Sequence, residues 1–489
     1  MFAVSDVPLL ALSLTFIAAV AAFYLTRLNR RVGEYFSLSI VTLVLLLVFS
    51  MYPAILRGEI LSSNYQLFSI PLSINFRVDA LSFYMAAIIS ALWLLATVYS
   101  WGYLAHSHAH DRYYAFLLLV FAGNLGTVLA GDLIGLLLFF EIMAVGSYIL
   151  IVHEEDETAM FAGAKYLYMA VGAGLGIFFS VIVVYFLAGD LSLGQSGMIS
   201  GVSGLSLASF LGFLLGFGIK AGVFPLHVWL PDAHPAAPAP VSALLSGVML
   251  KIGVYGLIRI FYDVYGLNYI RALGWNKITL VIATITILLG SALALRQDDL
   301  KRRLAYSSIA QIGYIVLGLS LLTEQALAGA VFHIFTHAVM KGCLFLCAGA
   351  IIVQTGKRKI SQMKGIGYQM PLTMICFTFA SLSMVGIPPF NGFITKWYIG
   401  MGALACGEPF YVILLIISSL LNAAYYFPII IAAFFAVSSS EKEAVKDAPV
   451  NMLIPVIVLG IFTFVFALLP EHLPLQLARA VSHGLFNGF

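Results

Sequence analysis

Apolar blocks about twenty residues long recur along this chain, and they leave it few ways to fold. A helix rises 1.5 Å per residue, so about 20 apolar residues cross the ~30 Å hydrocarbon layer of a bilayer. Within that layer no water satisfies backbone polar groups, which leaves only helices or closed barrels. A barrel would show segments of about ten residues with alternating polarity, whereas these blocks are continuously apolar. The expected fold class is an all-α polytopic membrane protein. An ordinary soluble domain is incompatible with a chain of 489 residues that is 62% hydrophobic and only 10% charged.

Counting blocks gives about fourteen spans, centred near residues 16, 45, 90, 121, 141, 174, 214, 250, 285, 312, 340, 386, 421 and 461. The first, Val7 to Tyr24, has no basic stretch before it and is followed by Arg27, Arg30 and Arg31, so it reads as a retained span and not as a signal peptide. Alternating helices put Arg27/Arg30/Arg31, Arg112, Arg296/Lys301/Arg302/Arg303, Lys357/Arg358/Lys359/Lys364 and Lys442/Lys446 on one side, fourteen of the 25 basic residues. The opposite loops and ends hold six, Arg57, Arg77, Arg259, Arg271, Lys277 and Arg479. By the positive-inside rule the first side is cytoplasmic and both termini are external, in the cell (inner) membrane.

Two spans carry helix breakers at mid-depth, Lys220-Ala-Gly-Val-Phe-Pro225-Leu-His227 and Gly386-Ile-Pro-Pro-Phe-Asn-Gly392. Broken helices survive at that depth only against protein or a water-filled cavity. Lys165 precedes Lys220 by 55 residues and Lys341 precedes Lys396 by 55. That equality is either the trace of an internal repeat or a coincidence among five lysines. Cys343, Cys347, Cys376 and Cys406 form no CxxC pair, so neither an iron–sulfur cluster nor a disulfide framework is indicated.

Six charges interrupt the apolar blocks: Glu141, Lys165, Lys220, Lys251, Lys341 and Lys396. Each costs roughly 2.5–3.5 kcal/mol at a helix centre, on the order of 15 kcal/mol for all six if they faced lipid unpaired. They must face inward, paired or hydrated. Burial disfavours a charged lysine and a nearby carboxylate restores it, so a lysine beside a movable carboxylate has a switchable proton affinity. The plainer readings are a structural ion pair for Glu141, cavity-lining charges for Lys220, Lys251 and Lys396, and a snorkelling side chain for Lys165.

His333, His337 and Lys341 recur at i, i+4 and i+8, on one helix face. Histidines at i, i+4 can ligate zinc, but no glutamate lies between them and no third ligand is indicated. A proton relay interleaved with water is the other chemistry such a stripe supports, and polar helix packing is the plain alternative. His227 and His234 either hand protons in from the cytoplasmic end or hold a loop.

The string Lys220-Ala-Gly-Val-Phe-Pro-Leu-His-Val-Trp-Leu-Pro-Asp-Ala-His234, the following Pro235-Ala-Ala-Pro-Ala-Pro-Val-Ser-Ala-Leu-Leu-Ser-Gly and Lys251 closely resemble the signature of the antiporter-like subunits of respiratory complex I, Mrp cation/proton antiporters and energy-converting membrane-bound hydrogenases. The resemblance continues through Asp299 to Gly313, His333 to Gly342 and Gly386 to Lys396, and covers most of the chain. It implies fourteen helices in a single domain over residues 1–489: N-terminal helices in 1–104, inverted five-helix repeats in 112–263 and 275–436 with the seventh and twelfth helices broken, and a last helix and short tail in 450–489. Glu141 then pairs with Lys220, Lys251 is the central lysine, Lys396 is the terminal ionisable residue, and Lys165, His333, His337 and Lys341 lie on the connecting axis. Some complex I members have glutamate where this chain has Lys396, and only nineteen residues follow Pro470, which leaves no room for a long lateral helix.

The implied function is proton or sodium-ion translocation within a multisubunit complex, driven by redox chemistry or an opposing gradient supplied elsewhere. Ions would enter near Lys220 or Lys251, pass His333, His337 and Lys341, and leave near Lys396, with Glu141 as gate. The expected partners are the lipid bilayer, other membrane subunits including homologous ones, and peripheral redox subunits. No cofactor motif is visible here, so any iron–sulfur or nickel centre would sit in a partner; no nucleic acid is involved. The rivals are a stand-alone solute transporter using the broken helices and a purely structural subunit.

Overall fold

The computed structural model describes residues 4–66, 73–105, 107–199, 201–436, 446–469 and 474–487; Lys442 lies outside them. Twelve helices among the described residues are long and apolar enough to cross a membrane. Two further helical elements fall outside that count. Leu300–Ser320 is 21 residues long but starts with Lys301, Arg302 and Arg303. Pro371–Val385 and Asn391–Ala405 are two 15-residue helices meeting at the Gly386 break.

Local chemistry sets the boundaries. Asp79, Asp132, Asp156, Asp299 and Thr323 each accept a hydrogen bond from the backbone N–H three residues on, satisfying a donor that the first helical turn leaves open. Gly222 and Gly386 end their helices at φ +75° and +86°, a left-handed cap that a side chain would strain. An antiparallel hairpin, Leu61–Gln66 with Ser73–Val78, leads directly into Asp79 and the helix Ala80–Tyr103.

Two consecutive sets of five elements share one length pattern. The first runs His110–Leu129 (20 residues), Leu133–Ile151 (19), Glu157–Ala188 (32), the broken Gly204–Ala221 and Leu230–Ala236, and Ala239–Val264 (26). The second runs Asn276–Leu295 (20), Leu300–Ser320 (21), Glu324–Thr355 (32), the broken pair at Gly386, and Phe410–Phe435 (26). The two long helices start 167 residues apart, whereas Lys165 and Lys341 are 176 apart. Lys165 therefore lies eight residues into its helix and Lys341 seventeen. Lys220 precedes its break and Lys396 follows its own. The equal 55-residue spacing consequently does not mark equivalent positions.

The core sits where Ala239–Val264 and Glu324–Thr355 cross the middle of the bundle. These are the most enclosed spans, 100% and 89% buried, against 33–44% for outer helices such as Val450–Leu468 and Glu157–Ala188. Arg259, expected at a loop or end, is buried within the first of them. Its guanidinium grips Asp79 through two nitrogens at 2.7 and 2.8 Å, reaches Asp263 at 3.2 Å and donates to Ser82 and Tyr255.

Candidate functional site

Lys251 projects from the fully enclosed helix just after a π turn over Leu245–Met249. The Leu250 N–H bonds five residues back to the Leu245 carbonyl, and the Lys251 ammonium donates to the neighbouring Ser246 carbonyl. Single π turns often occur at functional positions. Gly253 lets this helix approach the Lys220 helix closely, because a Cβ there would overlap Phe217 and Ala221. The Ser246 hydroxyl meets that of Ser308 at 2.7 Å, linking Lys251 to the Leu300–Ser320 helix.

From the Glu324–Thr355 helix the Lys341 ammonium donates to the Leu304 carbonyl at 2.8 Å and the Ser307 hydroxyl on that helix, and to the Tyr426 hydroxyl of Phe410–Phe435 at 3.3 Å. His333 and His337 stack at 5.7 Å with rings inclined by 6°, as their i, i+4 spacing requires. His333 Nδ1 lies 3.0 Å from the Thr395 hydroxyl, while its Nε2 and both His337 nitrogens have no protein partner. Two-faced imidazoles so placed can bind water and relay protons. Among the described residues no group of three or more His, Cys, Asp or Glu side chains is arranged to hold a metal.

Lys396 caps the first half of its broken helix, donating to the Met384 and Val385 carbonyls at 3.2 and 2.7 Å and to the Ser419 hydroxyl at 2.9 Å. Carbonyls at a helix C-terminus carry the negative end of the macrodipole and favour a cation there. Lys396 also lies over the Tyr314 ring, which meets His333 edge-on, and it opens to a surface groove that includes Trp397 and Ser419.

The first set holds the other end of the row. Lys220 is buried, donates to the Tyr166 hydroxyl at 3.1 Å and lies over the Phe140 and Tyr166 rings. A small cavity beside it, lined by Phe140, Tyr166 and Trp229 among others, has room for about one water. Glu141 is within electrostatic reach of Lys220 without an ion pair between them. Its Oε1 has no partner, and its carboxylate lies against Gly174 in a groove on the bundle surface. No hydrogen bond joins Lys220 to Lys251, or His337 to Lys341, among the described residues.

Lys165 is separate from this row: it pairs with Asp232 at 2.7 Å, and His227 is its electrostatic neighbour. His227 is buried beside Phe224, with Nδ1 unpartnered. His234 is fully buried on the Phe345 ring at 4.5 Å, has neither nitrogen partnered, and senses Lys251, Lys301 and Lys341. Residues that spacing alone did not single out include Asp232, Lys301, Gln311 and Tyr314. Lys301 is buried and donates to the Ala237 carbonyl at 2.5 Å. Gln311 is buried with its amide unpartnered, one turn beyond Ser307 and Ser308 and one turn before Tyr314. A buried glutamine in an apolar helix was the available signal for it.

Residues 130–422 match the family described as NADH:quinone oxidoreductase/Mrp antiporter, TM, and residues 65–114 match the complex I chain 5 N-terminus. NADH-quinone oxidoreductase subunit N of Desulforudis audaxviator is 35% identical over 419 residues, covering 83% of this chain and 82% of that one. Hydrogenase-4 component B of Escherichia coli is 36% identical over 338 residues, 66% of this chain but only half of that longer protein. A chain in the structure of the membrane-bound sulfane sulfur reductase, an archaeal respiratory membrane complex, superposes with a TM-score of 0.88 at 27% identity over 98% of both chains. The chain belongs to the family of NADH:quinone oxidoreductase and Mrp antiporter membrane subunits.

Proposed function

We propose that this chain is the ion-translocating membrane subunit of a multisubunit complex, moving protons or sodium ions under a redox reaction or an opposing ion gradient supplied by its partners. The observation that carries this reading is the row of buried ionisable groups along the two most enclosed helices, flanked by Glu141 and Lys220 at one end and Lys396 at the other. Apolar packing would not require such a row, and each charge at that depth is costly. The names of the relatives, a quinone oxidoreductase subunit, a hydrogenase component and a respiratory membrane complex, support assembly with other membrane subunits.

In this reading Leu300–Ser320 and the pair at Gly386 each count as a span, which brings the twelve to fourteen. The matching lengths of the two five-element sets support repeats over 112–263 and 275–436. Five is odd, so the second set enters from the opposite face and the repeats are inverted. The basic loops then face the cytoplasm and the termini lie outside the cell membrane. Ions enter near Lys220 or Lys251, cross through His234, His333, His337 and Lys341, and leave at Lys396. Lys165 and His227 lie at the cytoplasmic mouth. Glu141 tunes the Lys220 charge from beside it, and Gly174 leaves the carboxylate room to move. Where a redox reaction is the drive, its iron–sulfur or nickel centres sit in partner subunits.

The test is ion transport by the whole complex in proteoliposomes. Glu141→Ala and Lys220→Ala are each expected to reduce it by roughly tenfold or more, a typical loss for a group that moves or steers a proton. Transport by both variants at the unaltered rate sinks the gate.

A further inference from the structure

We infer that Asp232 couples the two five-helix sets, acting as a positioning residue that holds one cation from each. This rests on the translocation reading above and extends it to a residue on the short helix Leu230–Ala236, just beyond the Gly222 break. One carboxylate oxygen accepts from Lys165 of the first set at 2.7 Å, and the other lies 3.2 Å from Arg302 of the second. The same short helix is held at its far end by the second set: Lys301 donates to the Ala237 carbonyl at 2.5 Å and Arg358 to the Pro235 carbonyl at 3.1 Å. Four cations thus grip a seven-residue helix, three of them from the other set.

The position has a counterpart. Asp232 follows Gly222 by ten residues, and Lys396 follows Gly386 by ten. Each is an ionisable group on the second half of a broken helix, opposite in sign. Lys396 turns back onto carbonyls of its own broken helix, whereas Asp232 reaches outward to two other helices. Two residues beyond Asp232 on the short helix, His234 lies against Phe345, one turn beyond Lys341 on the Glu324–Thr355 helix. A displacement of the short helix therefore moves His234 among Lys251, Lys301 and Lys341 while it strains the Lys165 and Arg302 pairs. Asp232 ties these events into one.

Lys165, Asp232 and Arg302 keep 34%, 19% and 44% of their side-chain surface exposed. Pairs so accessible to water contribute little to stability. A large loss of transport on breaking them then reports coupling, not unfolding.

The experiment measures transport and its pH profile in proteoliposomes of the whole complex, alongside the amount of assembled complex. Asp232→Asn is expected to assemble normally, to lose transport by roughly tenfold, and to change the pH profile. Reversing every charge of the tie, in Lys165→Asp/Asp232→Lys/Arg302→Glu, again gives residue 232 one ion of opposite sign from each set, and this triple variant is expected to regain at least half of the wild-type rate. Asp232→Asn transporting like wild type, with an unchanged profile, overturns the inference. Failure of both variants to assemble also overturns it, since Asp232 is then only a staple of the fold. The translocation reading fails separately, if Lys220→Ala transports normally in the same vesicles.

Discussion

Lys251→Met is expected to abolish transport, by roughly 100-fold or more, in a complex that assembles as well as the wild type or better. On the proposed path the size follows from removing its central ionisable group, since positioned acid–base groups contribute about 10²–10⁴-fold. The intact assembly follows from the surroundings. Lys251 is fully buried, and its ammonium is held by the Ser246 carbonyl with no carboxylate in contact. Exchanging such a charge for an isosteric apolar chain removes a desolvation penalty and keeps the packing, which is neutral or stabilising. A structural subunit would behave otherwise, retaining transport when Lys251 is neutralised. Lys251→Arg sharpens the result: arginine keeps the positive charge but does not release a proton. If Lys251 carries protons, the arginine variant is as inactive as Met; if it supplies only a positive field, arginine restores transport. The measurement is acidification of proteoliposomes containing the whole complex, with complex yield as the control.

Much of this architecture is legible in the sequence because lipid is a demanding solvent. Each of the fourteen expected centres falls on a helix or, at residue 386, at the break between two. The Lys220–His227 and Gly386–Gly392 strings break their helices where proline and glycine forbid continuation. The stripe His333, His337, Lys341 also faces one way, since 3.6-residue periodicity is a local property. What hydropathy could not supply is partnership across the fold. Lys165 and Asp232 are 67 residues apart, and neither periodicity nor composition links them. Lys301 looks like one more cytoplasmic loop cation, yet tertiary packing draws it inside to the carbonyl end of a helix that exists only because its neighbour is broken. The π turn before Lys251 has no sequence signature. The 55-residue lysine spacing is uninformative for a related reason: an equal separation between two lysines does not fix the depth of either in its own helix.

Arg259 gives the second large effect, on the fold and not on transport. Its side chain is 1% exposed, and it bonds Asp79 with both terminal nitrogens, Asp263 with one, and the hydroxyls of Ser82 and Tyr255. Asp79 also caps the helix Ala80–Tyr103 through the Ser82 N–H, so the cluster ties the hairpin exit to the end of the central helix. Tyr255 extends the tie to the His110–Leu129 helix by donating to the Val128 carbonyl at 3.0 Å. Bidentate guanidinium–carboxylate pairing is the strong form of a charged hydrogen bond, and deleting one partner strands the others in a low dielectric. Arg259→Met is therefore expected to cost about 3–5 kcal/mol, read as a fall in the thermal midpoint of the detergent-solubilised complex and in its yield. Neutralising the three together, with Asp79→Asn and Asp263→Asn added to Arg259→Met, is expected to recover part of that loss, because none of the three is left as an unpaired charge while Arg77, which both carboxylates also attract, keeps its own; asparagine at position 79 can still cap the helix. The recovered variant should transport normally, since the polar row passes through Lys251 two turns away and, apart from Tyr255, whose hydroxyl is engaged by the cluster, the residues between, Ile252, Gly253, Val254, Gly256, Leu257 and Ile258, are buried and carry no polar side chain. A recovered variant that assembles but does not transport would make the cluster part of the ion path, and the exit would then have to be sought on the Arg259 end of the central helix as well as at Lys396.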